Sequence, residues 1–215
     1  MHATDTAPFW NRTAPRYAKS PVADEDAYQK TLEHTRAHLD SKMDVVELGC
    51  GTGTTASLLA GSVKRYTATD ISQGMLTIAR ERHGKQEAAN LTFRQASLFD
   101  LANEEKRYDA ILAFNLLHLV DDLPGYLRGM RQLLAPDGMI VVKSPCLAGR
   151  PLFWLAIRTM QIFGKAPPVY FFTAKEFEAM LETAGFHIIE RGDYPVKARS
   201  RFLVARPRLE AAGDR

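Results

Sequence analysis

Residues 44–56, DVVELGCGTGTTA, constrain the fold of this 215-residue chain more than any other stretch. An apolar run holding one acid, Glu47, gives way to glycine at three alternate positions, Gly49, Gly51 and Gly53. A short run rich in β-branched residues favours a buried strand, and the glycines free the following backbone for conformations that side chains forbid. A glycine turn between a strand and a helix lets a ligand approach the main chain, where free N–H groups and the helix dipole can hold it. One glycine suffices for a tight turn, so three point to a ligand site.

Beyond that stretch, apolar runs alternate with amphipathic segments, a rhythm that predicts βα units and a parallel sheet. DVVELG, RYTATD, LTFRQAS, YDAILAFN and GMIVVKSPC read as the first five strands. Helices are expected over GTGTTASLLAGSV, over SQGMLTIARERHG with Ser72 as its N-cap, and over DDLPGYLRGMRQLLAPDG, stopped by Pro136 and Gly138. A further helix, TAKEFEAMLETAG, leads to two closing strands, FHIIERGDY and SRFLVARP. The PVKAR link between them is too short for a parallel crossover, so at least one of the two runs antiparallel. Two helices, around residues 9–19 and 24–40, precede the sheet and are placed to cover the carboxyl ends of its strands, where open α/β sheets bind ligands.

Composition removes several function classes. With 46% hydrophobic residues the chain can bury one sizeable core. A formal charge of +3, without a concentrated basic stripe, argues against nucleic acid as a partner. The two cysteines, Cys50 and Cys146, form no disulfide framework and suit a reducing compartment. MHATDTAPFWNRTAPRYAK lacks the apolar core of a secretory signal, so a cytoplasmic location is the expectation.

The ligand of the glycine loop has two readings. Gly51, Gly53 and Ala56, with Asp70 as a ribose acid, can be fitted to a dinucleotide fingerprint. Against that, Glu47 puts a carboxylate at the loop mouth, which suits a cation better than a pyrophosphate. No second βαβ half carries comparable glycines either. VVELGCGTG resembles the first motif of the class I S-adenosylmethionine-dependent methyltransferases, and the resemblance runs from about Asp44 to Pro207. It implies a Rossmann-like, doubly wound α/β fold: a mostly parallel seven-stranded sheet with an antiparallel last strand, N-terminal helices and a helical insertion after the fifth strand.

The resemblance also implies S-adenosyl-L-methionine as cofactor, S-adenosyl-L-homocysteine as product, and no metal. Glu47, Gly49, Gly51 and Gly53 would line its methionine part. Asp70 would accept hydrogen bonds from both ribose hydroxyls, Ile71 would pack on the adenine, and Met75 joins them as a cofactor-binding residue. QASLFD departs from the Gly-Asp-Ala common in the family, leaving Ser97, or the Leu98 backbone N–H, to read the adenine edge. In NLLHL, the resemblance implies that Asn115 lines the region facing the transferred methyl, with His118 as a further candidate. FWNRTAPRY looks like an opening in which Tyr17 closes the site as an aromatic lid, although Phe9, Trp10 and Tyr17 at helical spacing equally suit packing.

Displacement from a sulfonium needs alignment more than activation, and orientation alone is worth roughly 7–11 kcal/mol. For a hydroxyl acceptor His118 is the base candidate, with a pKa class suited to neutral pH; a packing residue is the competing reading. Asp121 and Asp122 read as N-terminal helix charges. Pro145-Cys146 only superficially resembles the nucleophilic pair of cytosine-C5 DNA methyltransferases, since it follows the wrong strand.

The acceptor is expected to be small and hydrophobic or amphipathic, with an oxygen, sulfur or nitrogen nucleophile. Its pocket would be built by the N-terminal helices and by residues 151–163, PLFWLAIRTMQIF, whose Phe153, Trp154, Met160 and Phe163 offer an adaptable wall. That segment is too short to span a bilayer. Packing on the sheet edge is one alternative for it; the other is contact with a membrane surface, helped by Arg150, Arg158 and Lys165 and by the run Arg191, Lys197, Arg199, Arg201, Arg206 and Arg208.

The whole chain, 1–215, reads as one methyltransferase domain: a helical lid (1–40), a cofactor core (41–146), the insertion (147–172) and a closing helix and strands (173–208). Monomer and homodimer both stay open. So do two other functions, an NAD(P)-dependent oxidoreductase and a noncatalytic S-adenosylmethionine-binding module.

Overall fold

The computed structural model describes residues 6–83, 89–196 and 199–208. Lys197 lies outside the described residues, as does the expected end of the second βα helix at Gly84. Two helices come first, α1 (Ala7–Tyr17) and α2 (Glu25–Ala37). Asp24 caps α2, its carboxylate accepting from the Ala27 N–H at 2.9 Å. The core follows as β1 (Asp44–Leu48), α3 (Thr54–Leu59), β2 (Arg65–Asp70), α4 (Gln73–His83), β3 (Leu91–Gln95), α5 (Leu98–Ala102), β4 (Tyr108–Phe114), α6 (Leu123–Leu133) and β5 (Leu134–Pro145). The chain closes with α7 (Pro151–Ile162), α8 (Ala174–Thr183), β6 (Phe186–Asp193) and β7 (Ser200–Pro207).

The seven strands lie in the order β3-β2-β1-β4-β5-β7-β6. The first five run parallel, while β7 enters between β5 and β6 antiparallel to both, as the short link before it requires. Alternate side chains feed two cores. Val46, Leu48, Ile111, Ile140 and Val142 pack on one face with Leu127 and Met130 of α6 and Phe177 and Leu181 of α8. Val45, Ala68, Leu112 and Val141 pack on the other with Leu59 of α3, Leu76 and Ala79 of α4 and Leu32 of α2. Helices on both faces explain why the strands read as nearly unbroken apolar runs, each large buried side chain contributing about 1.5–3 kcal/mol. Chain order reverses between β1 and β4, which opens a crevice at their carboxyl ends.

The N-terminal helices are fastened across that end. Asn11 Oδ1 of α1 accepts from Ser72 Oγ at 2.8 Å and from the Gly74 N–H at 2.9 Å. Glu190 of β6 holds α2 through His34 Nδ1 and His38 Nε2, each 2.6 Å away, and Lys143 Nζ donates to Thr31 Oγ1 at 2.8 Å.

One local expectation is corrected, and one element is new. Pro136 and Gly138 do not stop the helix before the fifth strand: α6 ends at Leu133, and these residues lie within β5. There the pairing jumps from Tyr108 with Leu134 to Ala110 with Met139, so the sequence breaks fall in a bulge. The five-residue α5 has no counterpart in the sequence reading, being too short to show helical periodicity. A reciprocal capping box sustains it: Ser97 Oγ accepts from the Asp100 N–H at 3.3 Å, and Asp100 Oδ2 accepts from the Ser97 N–H at 2.7 Å. Among the described residues no helix is long and apolar enough to cross a membrane, and no cluster of His, Cys, Asp and Glu is arranged to hold a metal.

Candidate functional site

At the carboxyl ends of β1 to β4 lies a mostly apolar cavity of about 350 Å³, roofed by Trp10 and Tyr17 of α1. A second hollow of about 320 Å³ runs beneath the segment that joins α1 to α2. The two share Tyr17, Gly49, Gly51, Phe114 and Asn115 as walls, so together they form one bent, two-lobed space.

The apolar lobe collects Tyr17, Gly49, Gly51, Asp70, Ile71, Met75, Ser97, Leu98, Asn115 and His118 from the residues singled out in sequence. Glu47 lines the other lobe. Gly53 lines neither.

The three glycines do three different things, although all have positive φ. A Cβ on Gly49 would stand 2.9 Å from Leu116 Cδ1, so that residue is small to seat the loop after β4. On Gly53 it would meet the Phe93 ring at 2.7 Å and Ala79 Cβ at 3.0 Å, so this glycine lets α3 start close to α4 and β3. At Gly51 the nearest atom is Tyr17 Cε1, 3.9 Å away, and the missing side chain opens on the cavity itself.

Asp70 ends β2 almost buried. Its Oδ2 accepts from the Gly51 N–H at 2.9 Å and its Oδ1 from the Ser72 N–H at 2.8 Å. A carboxylate offers about four lone-pair sites, so two backbone donors leave room for two more. Burial raises the Asp70 carboxyl above its ordinary range, the two hydrogen-bonded N–H groups of Ser72 and Gly51 pull against that rise, and the Ile71 N–H adds a weaker pull.

Glu47 is more deeply buried than a loop-mouth residue would be. Burial pushes its carboxyl up to about 7, opposed by a 2.8 Å hydrogen bond from the Tyr66 hydroxyl and reinforced by the charge of Asp70. Near neutrality it is therefore half protonated, and a cation beside it would favour its ionised form.

His118 follows β4 in the short turn Leu117–Leu119. Its Nδ1 lies 3.4 Å from Ser144 Oγ, and burial lowers its pKa to about 4. The expectation of a group titrating near neutral pH is thus corrected: the imidazole is neutral there and a weak base. Folding disfavours its protonation, so the stability it contributes is present above pH 6.5 and lost as the pH falls through 4.

Asn115 adopts a left-handed conformation, φ 54°, which asparagine tolerates better than most residues; its N–H donates to the Lys143 carbonyl at 2.8 Å. Tyr17 stands edge-to-face with Trp10, ring centroids 6.4 Å apart. The Ser97 hydroxyl is engaged by Asp100 Oδ2 at 2.7 Å, which leaves the main chain at Leu98 as the polar edge nearby.

The acceptor wall expected from the insertion is not where the sequence reading put it. Phe153, Trp154, Met160 and Phe163 are exposed and line neither lobe. Pro167 and Val169, just beyond α7, border the apolar lobe instead, with Leu116, Leu119, Val120 and Tyr126. The apolar residues of NLLHLV were a visible signal for part of that wall; Pro167 and Val169 carried none.

A methyltransferase-domain family model matches residues 22–191. Over 169 residues, 71% of the chain, it is 27% identical to a hybrid PKS-NRPS synthetase, LepA, of Aspergillus flavus, and covers 4% of that protein. The chain spans only 3–7% of the length of the five synthases that head its curated relatives. It is 26% identical over 205 residues to the demethylmenaquinone methyltransferase of Tropheryma whipplei (strain Twist), covering 86% of this chain and 84% of that one. The solved complex of DhpI with SAH has the same fold, with a TM-score of 0.73, 23% identity and coverage of 96% of this chain and 98% of the other.

Proposed function

The chain belongs to the S-adenosylmethionine-dependent methyltransferases, and from that premise we propose that it methylates a small apolar or amphipathic acceptor lodged over His118. Membership supports S-adenosylmethionine as the cofactor over a nicotinamide dinucleotide, and the open Gly51 and the Asp70 carboxylate count against a noncatalytic module. The observation that carries the proposal is the two-lobed space: a buried carboxylate with free lone pairs stands on one wall, and apolar side chains form most of the rest.

When bound, S-adenosylmethionine would supply a methyl group activated by its sulfonium, whose neutral thioether leaving group needs no protonation. Asp70 would hold the ribose hydroxyls with its remaining lone pairs, and Gly51 would admit the ligand against the main chain. Ile71, Met75 and Leu98 would form an apolar slot for the adenine, with the Leu98 backbone as its polar edge. Glu47 would balance the ammonium in the polar lobe, and Asn115 stands where the lobes join. Trp10 and Tyr17 exclude water from above. His118, Leu119, Val120, Pro167 and Val169 bound the acceptor, and each Å² of apolar surface buried against them contributes about 25 cal/mol. A relative named a demethylmenaquinone methyltransferase supports a small-molecule acceptor.

The low basicity of His118 favours acceptors that need little deprotonation, such as thiols, acidic phenols and neutral amines. Incubation of the protein with methyl-labelled cofactor and a panel of these should give labelled product with apolar members of the panel. Transfer confined to polar acceptors would overturn the assignment. In that assay His118→Ala should slow turnover by much less than the roughly hundredfold or more of a lost general base, while affinity for S-adenosylhomocysteine stays unchanged. The wild-type rate should show no histidine limb between pH 5 and 7.5.

Glu47 makes cofactor affinity depend on pH. Its folded pKa is raised, so it becomes anionic only as the pH rises through about 7, and a cationic ligand binds that form better. Calorimetry should find affinity for S-adenosylmethionine rising from pH 6 to 8, with the rise abolished in Glu47→Gln. A wild-type profile as flat as the variant's would remove Glu47 from the site.

A further inference from the structure

Between Asp137 and Glu176 the chain carries no acidic residue, while Arg150, Arg158 and Lys165 fall in or beside α7. That helix is apolar over most of its circumference yet buries none of its side chains. Leu152, Leu155 and Ile162 lie on one face at helical spacing and are 83%, 57% and 81% exposed, with Phe163 beyond them at 69%. The cations sit among the rings: the Arg150 guanidinium lies 5.7 Å from the centre of the Phe153 ring and that of Arg158 5.5 Å from Trp154. Arg12 of α1 joins the same surface, donating to the Gly164 carbonyl at 3.1 Å.

A helix of this composition facing water calls for an apolar layer that also carries negative charge. We propose that α7 docks on an anionic lipid bilayer, with Leu152, Leu155, Ile162 and Phe163 entering the boundary between headgroups and acyl chains and Arg150, Arg158 and Lys165 against lipid phosphates. Charge selects this occupant over a second copy of the chain. Two copies of α7, each carrying Arg150, Arg158 and Lys165 in or beside it and no acid of its own, repel each other, whereas an anionic surface complements one. At 1.5 Å per residue the helix is about 18 Å long, enough to lie along a surface and too short to cross it. Pro167 and Val169, which border the apolar lobe, come directly after α7, so the docked face places the cavity beside the lipid. That last consequence, entry of an apolar acceptor from the bilayer, rests on the acceptor reading above; the docking does not.

The test is flotation of the full chain with phosphatidylcholine vesicles made with and without phosphatidylglycerol. The expected result is binding to the anionic vesicles that weakens with salt and is much smaller on the neutral ones. The double variant Leu155→Glu, Ile162→Glu should lose about tenfold or more of that binding, and Arg158→Glu a comparable amount. Because α7 buries nothing, the variants should keep the wild-type unfolding temperature and affinity for S-adenosylhomocysteine. Wild-type protein that stays with the buffer, or variants that float as well as wild type, would overturn the proposal. Sedimentation showing a dimer dispersed by Leu155→Glu, Ile162→Glu, with no vesicle binding, would overturn it in favour of a second copy. None of these readouts uses methyl transfer, so a failed acceptor assignment leaves the docking result intact.

Discussion

Asp70→Ala should lower affinity for S-adenosylhomocysteine by about a hundredfold or more. Each hydrogen bond to a charged group is worth about 1.5–3 kcal/mol and each 1.4 kcal/mol is a factor of ten, so losing two ribose contacts spans at least two decades. The structure adds a second reason. The same carboxylate receives the N–H groups of Gly51 and Ser72, so the variant releases the glycine loop as well as the ligand. Asp70→Asn separates the two roles only in part, because its amide nitrogen cannot accept and one of the two backbone donors loses its partner. Asn should therefore bind better than Ala and worse than Asp. Calorimetric affinities for both variants within about threefold of wild type would sink the ribose assignment.

Gly51→Val should be nearly as damaging to binding, and by a different route. The position has φ 55°, where a side chain costs about 1–2 kcal/mol and a β-branched one more, and the added atoms point into the cavity. Gly53→Ala is the informative partner experiment. Its methyl would press on the Phe93 ring and Ala79, which are protein interior, so the loss should appear as a lower unfolding temperature. Cofactor affinity should fall mainly in the first variant and stability mainly in the second. If Gly53→Ala proved the greater loss of affinity, the distinction drawn between the two glycines would fail.

That distinction also marks where the sequence stopped being legible. Spacing identified a glycine loop, and nothing in the spacing separated the glycine facing the ligand from those facing Leu116 and Phe93. Those partners lie more than 35 residues away along the chain. All seven strands could be read because βα alternation and paired cores impose a pattern on every one of them. The α5 helix could not, since five residues cover little more than one helical turn and its capping box is a local event. Burial was equally hidden: Glu47 and His118 were placed near the site by position, but how far each is displaced from its ordinary pKa depends on what the fold packs around it. The aromatic insertion misled for a related reason. Composition announced an apolar surface and could not say whether it faces the cavity or the outside.

The sheet order has a consequence for how this protein behaves at high concentration. Its two free edges are β3 and β6, and either could template a strand from another molecule if it were long, flat and apolar. β3 is only five residues long and carries Arg94, which is paired with Glu104. β6 has an irregular register between Ile188 and Glu190, and Glu190 is held by His34 of α2 and by His38 at that helix's carboxyl cap. Both borders are thus poor templates, and ribbon-like polymerisation by strand addition is disfavoured at each.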